Sequence, residues 1–571
     1  MNNLKLYFQF ILYMLFFNII FTNVNAKNIQ HFYDAESVSE YFSGIISLKD
    51  NKYENSYKYL KRLNGLENQH HKYSNAYLYS LVNLGRLDEA FKYSKQLHKK
   101  NIFTYESNLI IGLYFLKNKK YKLANEYFKR IKKDEYKNPL ENILSEYLNQ
   151  WVEISEIDFS AAEDLINKKK KKFKNIDKIQ STFFKCYFDS NKTEEYFKKL
   201  ISDKENDFTR YNFFFANYLI KKNKNSEAIK ILESSLKLSP RNLILNQLKI
   251  DLKQSKKNIF RDKFNCKNLS HVTAELFYII SNALSSRAMY FDSNFHLNLA
   301  KYLNPNFTSY NNLYAENFYM IKNFDKSKDI YSKIKLIGEV YNWHATKKIS
   351  LISIKQGKID GGLKYFKDNF NKIKNPNEYQ IFDLAEVLKV NEKYKDSIIH
   401  YSQVLDMIDK NHYLYSQTTH GRGIAYERDG EWEKAEKDLL SSLSVKPNQA
   451  HVINYLAYTW VEQGVNIEKS MSMLHTANEL KKNDGYIIDS LGWALFKLKK
   501  YNEAKKYLEL AVILMPTDPV VNDHYGDSLW MNGKKIQARY YWNYALNLEE
   551  TKDDLKIIIK KKMIMGLKFN L

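Results

Sequence analysis

The sequence predicts an all-α chain, a right-handed superhelical solenoid of about 14–15 helix-turn-helix repeats. Three observations carry that expectation. Small residues recur along the chain with a spacing of 34 positions, as from Gly492 to Gly526 and from Ala504 to Ala538. Apolar residues fall at four-residue spacing inside each unit, as Leu491 with Leu495 and Tyr525 with Leu529, which puts them on one face of a helix. Finally, 571 residues hold only 17 Gly and 7 Pro, too few for many tight β-turns or Gly-rich phosphate loops. A single core is excluded by length, because cores stop growing at roughly 250–300 residues.

Taken in order, the chain opens on a segment unlike the rest. Lys5 is the one charge in residues 1–26, Leu6 to Phe21 is almost wholly apolar, and Val24-Asn25-Ala26 ends it with small residues at the outer positions. This reads as a secretory signal peptide cleaved after Ala26. The alternative is an inner-membrane anchor through residues 6–21, although about 16 apolar residues fall short of the roughly 20 that span a bilayer. No Cys follows the segment, so lipid anchoring is not supported.

The repeats follow. Gly44 with Ser56, Leu78 with Ala90 and Gly112 with Ala124 mark the first units, and weaker ones centre on Glu146 and Ser181. Ala216, Ala228, Ser235 and Pro240 form a clear unit, and a weak one near Leu248 closes a divergent block over 27–270. A middle block, 271–415, contains Ser281 with Ala300, Ala315 with Ser327, a weak unit at Ser350, and Ala385 with Ser397. The C-terminal block, 416–550, holds the clearest copies: Gly423/Ala435/Ser442, Ala457/Ser470/Ala477, Gly492/Ala504/Ala511 and Gly526/Ala538/Ala545. In each, the small residue sits where the second helix crosses the first. Asp429-Gly430 and Asn532-Gly533 supply turns, and Pro447 and Pro516 stop helices. Residues 551–571 form a Lys-rich stretch in which Leu555, Ile558, Ile559, Met563 and Leu567 suit a capping helix; peripheral membrane contact is the alternative.

A 34-residue period is the length of the tetratricopeptide repeat. The segment from His420 to Leu548 also resembles tetratricopeptide-repeat proteins exported by Gram-negative bacteria, in particular a proteobacterial group. The likeness rests on the run Asp484-Gly485-Tyr486-Ile487-Ile488-Asp489-Ser490-Leu491-Gly492-Trp493-Ala494, on Asp518-Pro519, and on Asn522-Asp523-His524-Tyr525-Gly526-Asp527. The resemblance implies a scaffold that binds other proteins; the signal segment together with the 34-residue array points to a non-enzymatic scaffold or adaptor for a protein or peptide partner in the bacterial cell envelope, in the periplasm, serving assembly or export. Binding of an envelope polysaccharide or its assembly machinery is the alternative, since aromatic rows also stack on sugars.

Charge is a poor guide to the ligand. The chain carries 89 Lys+Arg against 65 Asp+Glu, a net +24, yet only 10 of the basic residues are Arg. Nucleic-acid recognition leans on Arg for bidentate contacts, so a Lys-solvated surface is expected and no nucleic-acid partner. No Gly-rich phosphate loop, His-Glu-x-x-His, Cys-x-x-Cys or Gly-x-Ser-x-Gly occurs, so no catalytic residue, cofactor or metal site is expected. His271 with Glu275 reads as helix surface. Cys186 and Cys266, two to three repeats apart in an extended array, are expected to be buried free thiols.

Function should lie on the inner face, which the first helices line. Counting from the central small residues places His420, Glu427, Asn454, Tyr458, Asp489, Trp493, Phe496, Asp523, Asp527 and Trp530 there. The set is aromatic and acidic, suited to a basic or amide-rich peptide. Asp489 and Asp523 stand where a carboxylate-clamping groove for a chaperone tail would need Lys, so such a tail is disfavoured. Oligomeric state is left open.

Overall fold

The computed structural model describes residues 34–131, 139–168, 173–254 and 264–567. The expected signal or anchor over 1–26 and the last four residues of the tail lie outside them. Among the described residues the regular elements are thirty α-helices and one 3₁₀ turn, with no strand. Within each compact stretch most successive helices pack as antiparallel pairs, one pair against the next, which is the pattern of a solenoid.

One contact explains the period. A Cβ built on Gly44 would stand 2.6 Å from Leu60, on Gly112 2.3 Å from Phe128, on Gly423 3.1 Å from Leu439, on Gly492 2.6 Å from Leu508 and on Gly526 2.5 Å from Trp542. In all five pairs the large residue lies sixteen positions on. The first helix of a unit thus gives up its side chain so that the second can lay a Leu, Phe or Trp against bare backbone. At the small position of one unit a Ser uses its hydroxyl: Ser350 Oγ donates to the Gly362 carbonyl at 2.8 Å. From the second helix, Ser327 Oγ donates back to the Ala315 carbonyl at 2.9 Å. The turns need a left-handed residue; Gly430 (φ 84°) and Gly533 (φ 78°) fill it, while Lys499, 34 positions before Gly533, adopts φ 61° at a cost of roughly 1–2 kcal/mol.

The chain divides into two compact units, up to Asn342 and from Trp343. The division falls inside the block 271–415 because helices Leu269–Ser286 and Tyr290–Leu303 pack back onto the first repeats. In that first unit they lie against His71–Asn83, Tyr105–Lys117 and Pro139–Ile154. Tyr79 stacks on Phe291 and Phe295 at 5.0 and 4.1 Å between ring centres, Asn298 Nδ2 donates to Asn83 Oδ1 at 3.1 Å, and the Lys117 amine lies 3.7 Å above the Tyr302 ring. Glu106 to Leu113 are consequently buried without a break. The inner surface of these repeats is filled by the chain's own later helices.

This closure corrects two expectations. Cys186 and Cys266 are not free thiols: their Cα atoms are 5.8 Å apart and the sulfurs are bonded. The extended-array ruler fails because the chain turns back, seating Phe264 on Phe183 and Phe214 at 5.3 and 4.5 Å and Lys267 on Asp189 at 3.0 Å. Glu275 is not on the surface either. It is fully buried, receives Arg210 through Nε and Nη2 at 2.7 and 3.0 Å, and accepts from the Tyr310 hydroxyl. An unpaired carboxylate there would be costly; the guanidinium fork offsets its desolvation.

The second unit holds the helix pairs from Glu378–Val390 to Lys535–Asn547, followed by helix Asp553–Met565. Its last core joins Leu508, Tyr525, Leu529, Trp542 and Ile559, with Leu555, Met563 and Leu567 packed against it. The final helix therefore covers the exposed side of the last pair.

Candidate functional site

The inner face of the second unit is built by repetition. Asp484 caps helix Gly485–Lys497 by accepting from the Tyr486 and Ile487 amides, and Asp518, 34 positions later, caps Pro519–Met531 by accepting from Val520 and Val521. Pro519 follows at the first turn, where a missing N–H costs nothing. Identical starts put Asp489 and Asp523, Trp493 and Asp527, and Phe496 and Trp530 at matching positions on neighbouring first helices.

Six of the ten residues expected on the groove, Asp489, Trp493, Phe496, Asp523, Asp527 and Trp530, come together around two side chains outside that set. His524 is the first. Its Nδ1–H donates to both carboxylate oxygens of Asp489 at 3.1 and 3.0 Å, and its ring stacks on Trp493 at 3.9 Å. Burial works against its charge, but Asp489, helped by Asp523 and Asp527, outweighs it and holds the imidazole pKa above the ordinary value. Trp493 also stacks on Phe496 at 4.8 Å and donates its indole N–H to Glu462.

Lys562 is the second. From helix Asp553–Met565 its ammonium donates to Asp523 Oδ2 at 2.7 Å and Asp527 Oδ2 at 2.8 Å, and the three side chains are 8%, 8% and 3% exposed. The other Asp527 oxygen accepts from the Trp542 indole at 2.9 Å. Burial, then the Asp523 charge, pushes the Asp527 carboxyl up to about 7 against the pull of Lys562. Trp530 packs on Trp542 at 5.3 Å, beneath Arg539 and Lys535 and against Gly566. The acidic pair expected to greet a basic partner thus already holds a basic side chain of this chain.

The remaining four lie upstream. Tyr458 is partly buried, and burial, then Glu462 and Asp489, raises its hydroxyl pKa. Glu427 accepts from the Tyr455 hydroxyl at 2.7 Å and pairs with Arg428 at 3.3 Å. Asn454 keeps a buried Oδ1 with no partner. His420 sits apart from the cluster, its pKa pushed down to about 4 by burial and by Lys389. A continuous polar strip remains open to solvent across three first helices: Glu427 and Arg428 (25% and 54% exposed side chains), Tyr458, then Glu462 and Lys497 (40% and 30%), the last two 3.7 Å apart.

His524 and Lys562 each had a signal in sequence. His524 lies 35 positions after Asp489, one step past the repeat, where the neighbouring helix leans across. Lys562 is the polar residue on the buried face of a helix otherwise facing inward with Leu555, Ile559 and Met563, so it required an acid. No group of three or more His, Cys, Asp or Glu able to hold a metal occurs among the described residues.

No protein-family profile matches the chain. A curated relative, the TPR repeat-containing protein PA4667 of Pseudomonas aeruginosa, is 29% identical over 106 residues, which are 19% of this chain and 18% of that protein's length. Among solved structures, the Cut9-Hcn1 hetero-tetramer of the APC/C is 13% identical, covering 94% of this chain and 97% of that one with a TM-score of 0.37. TTC0263, a thermophilic TPR protein of Thermus thermophilus, is 14% identical over 33% of this chain and 100% of its own, with a TM-score of 0.29. MamA AMB-1 is 21% identical over 30% and 99%, with a TM-score of 0.26. The 34-residue helix pairs and the bare-backbone contact sixteen residues on make this chain a solenoid of tetratricopeptide-like helix pairs, and 106 of its residues are similar to a curated repeat protein of that kind.

Proposed function

We propose that the chain is a non-enzymatic scaffold that binds a protein or peptide partner along the inner face of its second unit, in the bacterial cell envelope. Tetratricopeptide-repeat proteins are in general protein-interaction scaffolds. The observation that carries the reading is the contrast between the two units. In the first unit the faces of helices His71–Asn83, Tyr105–Lys117 and Pro139–Ile154 are covered by its own later helices, whereas the strip Glu427–Arg428–Tyr458–Glu462–Lys497 of the second is solvent-reached and mixed in charge. A partner offering an extended or helical segment with both charge signs and an apolar residue for Tyr458 and Phe496 fits it. Trp493 is stacked on Phe496 and His524 and is buried, which favours a peptide over a glycan needing a free aromatic face.

The envelope part of the proposal rests on residues 1–26, whose charge, apolar run and small-residue end are those of an exported precursor. A photo-crosslinking residue at Tyr458 in the cell of origin tests the scaffold reading. A discrete adduct with an envelope protein is expected there, and none with the same residue at exposed Lys482. Equal adducts at both positions, or none at 458, would refute it.

A further inference from the structure

Helix Asp553–Met565 has two apolar faces, and only one is used by the fold. On the inner side Ile559 is fully buried, Lys562 is clamped by Asp523 and Asp527, and Arg539 Nε donates to the Met563 carbonyl at 3.2 Å. The outer side leaves Ile557, Ile558, Ile564 and Met565 at 58%, 46%, 81% and 54% exposure. At about 100° per residue these four fall within an arc of roughly 120°. Exposed Lys561 lies in the middle of that arc and exposed Lys560 about 40° beyond it, on its flank. Both acids of the helix, Asp553 and Asp554, are in its first turn; Asp554 falls on the same arc, at its N-terminal end, about 4.5 Å along the axis from Ile557 and about 15 Å from Ile564.

We infer that this outer face docks on an anionic lipid surface. Three observations select that occupant. A lysine in the middle of an apolar arc is disfavoured in a protein–protein interface, whose core is depleted in Lys. At a bilayer its stem lies along the apolar groups while the ammonium reaches the phosphates. A second copy is disfavoured by symmetry, since an isologous contact would set Lys560 and Lys561 against their own images. The local charge is complementary as well, because beside the clamped Lys562 the helix carries Lys556, Lys560 and Lys561 against Asp553 and Asp554. The inner-face anchors hold the helix down, so the arc is presented as a fixed surface rather than a loose tail.

The test uses the full chain and sedimentation with vesicles of phosphatidylcholine, with or without phosphatidylglycerol. Binding is expected to the anionic vesicles alone and to weaken with salt. Ile557→Ser with Ile564→Ser should weaken it about tenfold or more, and Lys560→Glu with Lys561→Glu should weaken it at low salt. All four positions are exposed, so thermal melting should not move. Absence of binding to anionic vesicles would overturn the inference. So would binding untouched by the Ile pair, which would trace it to general charge or to residues 6–21. A concentration-dependent dimer abolished by the same pair in the absence of lipid would overturn it too, by assigning the face to a second copy.

Discussion

At the scale of the residue, the C-terminal inner face is a set of opposed charges buried together, and its protonation should show in stability. His524 has a folded pKa above its unfolded one, so its contribution is full below about pH 6.5 and is lost as pH rises through the folded value. Asp527, raised to about 7, acts in the same direction: the folded state favours its protonated form, and that advantage disappears between about pH 4 and 7. The second unit is therefore expected to resist denaturant better at pH 5 than at pH 8. Six of the seven Trp lie in this unit, which makes their fluorescence the readout. Asp527→Asn should flatten the slope; an unchanged slope would mean that the buried carboxyl does not titrate in this range. These groups were only half legible in advance, because the repeat ruler located the acids but not what would face them. Lys562 comes from a helix outside the repeats, at no fixed spacing from Asp523 and Asp527.

At the scale of the helix pair, legibility was high, and for a stated reason. A close crossing demands a missing side chain at one position, and the demand recurs with the period, so the sequence displays it wherever Gly or Ala supplies it. Gly526→Ala would drive a Cβ to 2.5 Å from Trp542 and is expected to cost about 1–3 kcal/mol. Gly361, on a helix with nothing within 4 Å of its Cβ direction, provides the opposite case: Ala there should stabilise by about 0.5–1 kcal/mol. Denaturation of the two variants separates close packing from simple helix propensity. Of the units that spacing marked as weak, the one at Ser350 adds a chemical solution to the steric one. Ser350 donates to the Gly362 carbonyl while Phe366, sixteen positions on, is still fully buried, and small-residue counting does not see a hydrogen bond.

At the scale of the whole molecule, two compact units share one repeat but use it differently. The first is closed by contacts between residues some two hundred positions apart, such as Asn83 with Asn298 and Tyr79 with Phe291. Its disulfide spans 80 residues, a loop for which cross-linking stabilises by about 4 kcal/mol. Reduction is expected to speed hydrogen exchange in peptides from 174–303 and to leave those from 415–547 unchanged, with Cys186→Ser/Cys266→Ser behaving as the reduced protein does. Exchange that rises equally in both regions would refute separate stability of the units. This closure was not legible from periodicity, which reports neighbours along the array and is silent about where a curved array meets itself.

That meeting has a consequence for the order of events in synthesis. An ordinary solenoid can consolidate repeat by repeat as it leaves the ribosome or a translocation pore, since every contact is local. Here the inner faces of the helices between 71 and 154 wait for partners between 269 and 303, and at about 5–20 residues per second that interval is several seconds or more. During it the nascent first unit shows apolar surface that the finished protein hides, and a holding chaperone would find its client in that window and nowhere afterwards.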